Sequence, residues 1–248
     1  MKRLLTTTLC TLLLSASLTA NARSQEAPDK KALAILGDFW HGVAPLNRAI
    51  VPHLDKKGYT TDIIPDYEVP FDRFSEYDLI ILSRYYVRDC KQLETREGDP
   101  RKYGWLTPEQ EEAFEEYVLE GGNIFFHHDG IGFYPKDGAI SRLAKAYFVT
   151  HPPVVNITVV PVGDYAGLNE GVQPFIIHDE EYELEIDPSE TNVFMESYSE
   201  EHGHAYQGWA HDYGEGKVVV FVPGHDRYAL WSPMVQKSIA NILDSFDE

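Results

Sequence analysis

Four short runs in this chain are apolar almost without interruption: Ala32 to Leu36, Asp78 to Leu82, Asn123 to Phe126 and Lys217 to Val222. A strand solvated on one face alternates apolar and polar residues. An unbroken apolar run needs cover on both faces, as in a parallel sheet flanked by helices. The sequence between the runs supplies helical spacing. Ala49, Ile50 and Leu54 recur at helical intervals ahead of Gly58, and Val235, Ile239, Ile242, Leu243 and Phe246 do so near the C-terminus. Thr107-Pro108-Glu109-Gln110 predicts a helix start, with Thr107 as N-cap, Pro108 in the first turn and Gln110 closing a capping box. Ala113, Phe114, Tyr117 and Val118 form its apolar face, and Gly121-Gly122 ends it. With Thr60 to Ile64 as a further strand, the order predicts one α/β domain on a mainly parallel sheet with helices on both faces. Val154 to Val162 and Asn192 to Met195 add β elements in the C-terminal half without long helices between them.

The N-terminus reads differently. Met1-Lys2-Arg3 is basic, Leu4 to Leu18 is largely apolar, and Ala20-Asn21-Ala22 has the small-x-small form of a cleavage site. That apolar stretch is too short to cross roughly 30 Å of hydrocarbon. It predicts a signal peptide over 1–22, a polar tether over 23–31, and a periplasmic or secreted domain over 32–248. Removing the signal leaves 19 basic against 40 acidic residues, a net charge of −21, and Cys90 as the sole cysteine. No internal disulfide is then expected, and a small, partly buried hydrophobe is the expected role of Cys90. The acidity argues against nucleic acid, whose binding draws on Lys and Arg. No membrane insertion is expected after signal removal, and the oligomeric state is not legible.

Ligands of open α/β sheets bind beyond the carboxyl ends of the strands. After the first run come Asp38 and His41; after the second, Arg84, Tyr85 and Tyr86; after the third, His127, His128, Asp129 and Gly130; after the last, Gly224, His225 and Asp226. Three strands therefore deliver histidine to one edge, which predicts a functional site there. His151 and the segment His178-Asp179-Glu180-Glu181-Tyr182 could border it, although that segment alone reads as a solvated acidic turn at the start of a strand. His53, His202, His204 and His211 fall on segments read as helix or loop and receive no role.

Taken in order, these segments resemble the ThuA-like (trehalose-utilisation) proteins. The matching pieces are His41; Gly121-Gly122 running to His127 or His128; Phe148 to His151; Asp179-Glu180-Glu181-Tyr182; Trp209; Tyr213-Gly214-Glu215-Gly216-Lys217-Val218; and Gly224-His225. The resemblance covers nearly all of 32–246. It implies a flavodoxin-like, class I glutamine amidotransferase-like domain and a role in carbohydrate utilisation. One departure is Tyr165-Ala166-Gly167-Leu168, where many family members carry a His-Pro pair. Glutaminase activity is not expected: it needs a Cys nucleophile on a strained elbow, and His127-His128-Asp129-Gly130 occupies that position.

A small carbohydrate is the expected partner, a glycoside or disaccharide and its 3-keto form included. Tyr85, Tyr86, Tyr182, Trp209 and Trp231 could stack on sugar faces, with His41 and His151 addressing hydroxyls. His127 or His128 together with His225 are candidate general acid and base, because histidine titrates near neutrality. Asp179 or Glu180 would orient or activate them, and Asp129 with Glu180 are candidates for two-carboxylate glycoside hydrolysis. Two alternatives stand. His41, His127, His128 and His225 with Asp129 or Glu180 could ligate a divalent metal such as Zn and support hydrolysis; otherwise the chain is a carbohydrate-binding or structural protein that lost the nucleophile. Adjacent strand residues face opposite ways, so the sequence does not say which of His127 and His128 faces the cleft.

Overall fold

The computed structural model describes residues 30–65, 68–88, 100–163 and 165–247. The proposed signal peptide and Cys90 lie outside them. Five strands build the parallel half of the main sheet: β1 (Lys30–Leu36), β2 (Tyr59–Ile64), β3 (Leu79–Ser83), β4 (Asn123–His127) and β11 (Gly216–Phe221). The rest of the chain adds β5 (Ala146–Thr150), β6 (Val155–Pro161), β7 (Phe175–Asp179), β8 (Glu183–Ile186), β9 (Asn192–Ser199) and β10 (Gly203–Tyr213). The nine-stranded sheet runs β2-β1-β3-β4-β11-β10-β9-β6-β7, while β5 and β8 pair separately. Pairing is parallel from β2 through β11 and antiparallel from β11 to β7.

The apolar runs have the two-sided cover their composition requires. Leu33, Ile35, Ile80, Leu82, Ile124, Phe126, Val218 and Val220 join one buried cluster, with Phe114 and Val118 of α2 (Pro108–Leu119) and Ile140 and Leu143 of α3 (Ala139–Ala144). Their alternates Ala32, Ala34, Leu36, Ile81, Phe125, Val219 and Phe221 join the other. That face is covered by Leu46, Ala49, Ile50 and Leu54 of α1 (Val43–Lys56) and by Val235, Ile239, Ile242 and Leu243 of α5 (Pro233–Asp244). The Thr107 capping box forms: its Oγ1 accepts from Gln110 N–H at 3.3 Å, and its own N–H donates to Gln110 Oε1 at 2.9 Å.

Several elements differ from expectation. Strand β1 starts at Lys30, so the end of the proposed tether is in the sheet, with Lys30 and Lys31 in register with Tyr59 and Thr60. His204 and His211 lie on β10 rather than on helix or loop. His211 is buried, and its Nε2 lies 2.9 Å from the Leu143 carbonyl. Phe148 to Thr150 belongs to β5, and the His178–Tyr182 segment both ends strand β7 at Asp179 and leads directly into β8 at Glu183. Asp179, Glu180 and Glu181 are buried, not solvated. Among the described residues no helix is long and apolar enough to cross a membrane.

Candidate active site at the strand ends

From β1 the chain crosses to β2 on one side, while β3 and β4 lie on the other, so strand order reverses beside β1. Such a reversal opens a crevice at the carboxyl edge. The exit from β1 is a tight turn. Gly37 has φ +85°, and a Cβ there would lie 2.9 Å from the His41 carbonyl. Asp38 holds the turn: its Oδ1 accepts the N–H groups of Trp40 at 2.7 Å and His41 at 2.9 Å, and its Oδ2 accepts Tyr85 N–H at 3.0 Å. Burial raises the Asp38 pKa, but the His41 imidazole and these amides outweigh it and hold the carboxyl at about 2.

The exit from β4 separates its two histidines. His127 closes the strand, with Ser83 Oγ 3.0 Å from its Nδ1 and the Pro223 carbonyl 3.3 Å from its Nε2. Burial pushes its pKa down to about 4, so the ring is neutral and both nitrogens have partners. His128 then takes φ +46°, a left-handed conformation that is uncommon and costly for a side chain of this size. Gly130 follows against the Leu82 carbonyl, where a Cβ would sit only 2.0 Å from the oxygen. After this turn the two ring centroids are 6.2 Å apart, and only the His128 ring packs against those of His41 and His225. Its Nδ1 donates to the Val222 carbonyl at 2.7 Å, which leaves Nε2 as the free lone pair of a neutral ring. That atom is buried without a hydrogen bond; Glu180 Oε2 lies 3.5 Å away. Burial first, then the neighbouring imidazoles, hold the His128 pKa well below the usual value.

The remaining groups enter from β7 and β11. Asp179, fully buried, accepts the N–H groups of Gly224 at 2.7 Å and His225 at 3.1 Å. It thereby fastens the end of β7 to the loop after β11 and sets the next residue, Glu180, over the centre. Burial raises Asp179 to about 7 and, with Asp129 nearby, Glu180 to about 8. Glu180 Oε1 lies 3.1 Å from His225 Nδ1 and 3.4 Å from His151 Nδ1.

Opposite Glu180 stands His41. Its Nδ1 contacts the Asp129 carboxylate and lies 3.2 Å from Asp38 Oδ1. Burial disfavours its charge, but these two carboxylates reverse the effect and raise its pKa to about 10. His41 Nε2 is 3.0 Å from Nδ1 of His225, whose own pKa burial lowers to about 4. The charged His41 is therefore the donor. Tyr182 completes the wall, its hydroxyl donating to Asp129 Oδ1 at 3.0 Å.

Thus His41, His128, Asp129, Glu180, Tyr182 and His225 meet in one cluster, with His151 at its rim. His127 and Asp179 adjoin it as internally bonded supports. Tyr85 and Tyr86 are buried, Tyr86 at 0% exposure, and Trp209, also at 0%, donates from Nε1 to the Ala144 carbonyl at 2.7 Å in the core. Trp209 and Tyr86 are closed to a sugar face. Two aromatics outside the expected set, Trp40 and Tyr228, are open. A cavity of about 340 Å³ adjoins the cluster, lined by Trp40, His41, Pro45, His225, Asp226, Arg227 and Tyr228, among others. Trp40 is 63% and Tyr228 69% exposed. Trp40 is one residue from His41, which was the available signal; Tyr228 is set by α4 (Arg227–Leu230), whose N-cap Asp226 accepts Tyr228 N–H at 2.7 Å. A larger cleft of about 610 Å³ lies beside Tyr77, Tyr117 and Asn123, away from this edge, and has no histidine in its lining.

Fold and site together define an α/β domain with a buried imidazole–carboxylate centre at the carboxyl edge of its parallel strands. The trehalose-utilisation profile ThuA matches residues 39–243, and the chain belongs to that family. Solved structures of the same fold include a ThuA-like protein from Parabacteroides merdae ATCC 43184, 15% identical over 86% of this chain and 88% of that one, TM-score 0.66. A ThuA-like protein from Bacteroides uniformis ATCC 8492 is 15% identical over 91% and 94%, TM-score 0.65. A β-galactosidase from Bacillus circulans sp. alkalophilus aligns over 87% of this chain but 31% of its own, at 15% identity and TM-score 0.59. At such identities the likeness establishes fold alone. No curated relative matches the chain.

Proposed function

We propose that this chain is an exported enzyme of carbohydrate utilisation, acting on a glycoside or disaccharide, in free or 3-keto form, by proton transfer at the strand-end centre. Glu180 is the proton-transferring group. The observation that carries this reading is its placement: a buried carboxyl group, 3.1–3.5 Å from nitrogens of His128, His151 and His225, directly behind the His225 ring that lines a cavity with Trp40 and Tyr228. A module that only bound sugar would gain nothing from burying so many ionisable groups, each of which costs desolvation. Aromatic faces with neighbouring hydrogen-bonding groups suit a pyranose, whose C–H face is apolar and whose edge is hydroxylated. Asp38, Asp129 and Asp179 are positioning residues.

The test is a panel of disaccharides, glycosides and their 3-keto derivatives, read by titration calorimetry for binding and by chromatography for products. Turnover of at least one member is expected. Saturable binding with no product from any member would identify a binding protein instead. Export is checked by expressing the full chain and sequencing the mature N-terminus, expected at Arg23; retention of residues 1–22 would refute it.

A further inference from the structure

We infer that His41, His128 and His225 form a binding site for one divalent transition-metal ion, of the Zn²⁺ or Co²⁺ class. One nitrogen from each of the three rings lies within 4.8 Å of the other two. Tetrahedral coordination at about 2.0–2.1 Å needs nitrogens roughly 3.3 Å apart, so side-chain rotations of about an ångström close the set.

The stronger evidence is what lies behind the rings. A ligating histidine characteristically gives its other ring nitrogen to a carboxylate or a backbone carbonyl, which fixes tautomer and orientation. His41 engages Asp129 and Asp38 through Nδ1, and His128 engages the Val222 carbonyl through Nδ1. In each case Nε2 is the atom turned to the centre; on His41 it carries the proton donated to His225, and metal binding would release that proton to solvent. His128 Nε2 is buried at 1% residue exposure with no hydrogen bond, which ordinarily leaves a desolvation penalty unrelieved. The left-handed backbone of His128 is a second local cost at the same residue. A metal ion would repay both. Three imidazoles with an open fourth position are a catalytic rather than a structural donor set, and imidazole selects borderline ions over Mg²⁺ or Ca²⁺. Glu180, 3.5 Å from His128 Nε2 and 3.1 Å from His225 Nδ1, would be the group at hand to exchange a proton with an oxygen bound to such an ion.

Metal binding is read without any sugar, so it stands or falls separately from the proposed activity. Tag-free protein is stripped with chelator and titrated with Zn²⁺ by calorimetry and with Co²⁺ by visible absorption. One equivalent is expected, with Co²⁺ bands of a low-coordinate site and a rise in Tm on loading. His225→Ala, on a half-exposed loop, lowers affinity at least 100-fold with the circular dichroism unchanged; Asp129→Asn, acting through His41, lowers it 10- to 100-fold. His202→Ala with His204→Ala, exposed and outside the three-ring cluster, leaves it within threefold. Absence of stoichiometric binding overturns the inference, as does binding that a folded His225→Ala retains in full.

Discussion

Individual residues of one type have opposite fates here. Trp209 and Trp40 are both near the site in sequence logic, yet one is an internal strut and the other an open platform. Replacing Trp209 by Phe strands the Ala144 carbonyl, which should cost about 1–3 kcal/mol of stability in urea denaturation. Replacing Trp40 by Ala should leave stability within about 0.5 kcal/mol, since its ring is 63% exposed. If Trp40 stacks on substrate, the loss appears as KM raised about three- to tenfold at unchanged kcat, the size of one aromatic contact. His127 and His128 show the same divergence. Their adjacency was legible, but the positive φ that turns His128 toward the centre depends on Gly130 packing against Leu82, a contact from a strand over forty residues earlier.

At the scale of elements, the parallel strands were legible because two-sided burial leaves an unmistakable apolar run. Strand β10 was not, because it buries Gln207 and His211 beside Trp209 and so breaks the apolar pattern. Strand β7 was missed for a related reason. Asp179 is tolerated in the interior only because Gly224 and His225, far along the chain, donate their amides to it. A run of acids reads as solvated until those partners are known.

Glu111 of α2 offers a measurable case of the same kind. It is buried beside the start of α3, and burial raises its pKa from 4.5 to about 7 against the lowering effect of the Ile140 and Ala139 backbone. The folded state then holds a proton the unfolded state has released. Its contribution is therefore full below pH 4.5 and is lost as pH rises through 7. Glu111→Gln should remove this dependence. The stability of the variant relative to wild type should rise by on the order of 1 kcal/mol between pH 4.5 and 8. A difference that stays flat over that range would show that Glu111 titrates normally.

For the whole molecule, the acidity has two separate meanings. Most of the excess is surface charge, which bears on solubility and on association with charged molecules. A small part is interior: Asp129, Asp179 and Glu180 are buried at the edge where β4, β7 and β11 end. The family scaffold supplies that edge, and the loops after each strand supply the chemistry, so the fold alone does not fix the reaction. The central claim is that Glu180 moves a proton during turnover. The direct measurement compares wild type and Glu180→Gln on a sugar that wild type converts, with kcat and sugar affinity determined separately. Glu180→Gln should lower kcat by about 10²–10⁴ while affinity stays within tenfold. An unchanged kcat in a folded Glu180→Gln protein would contradict the account.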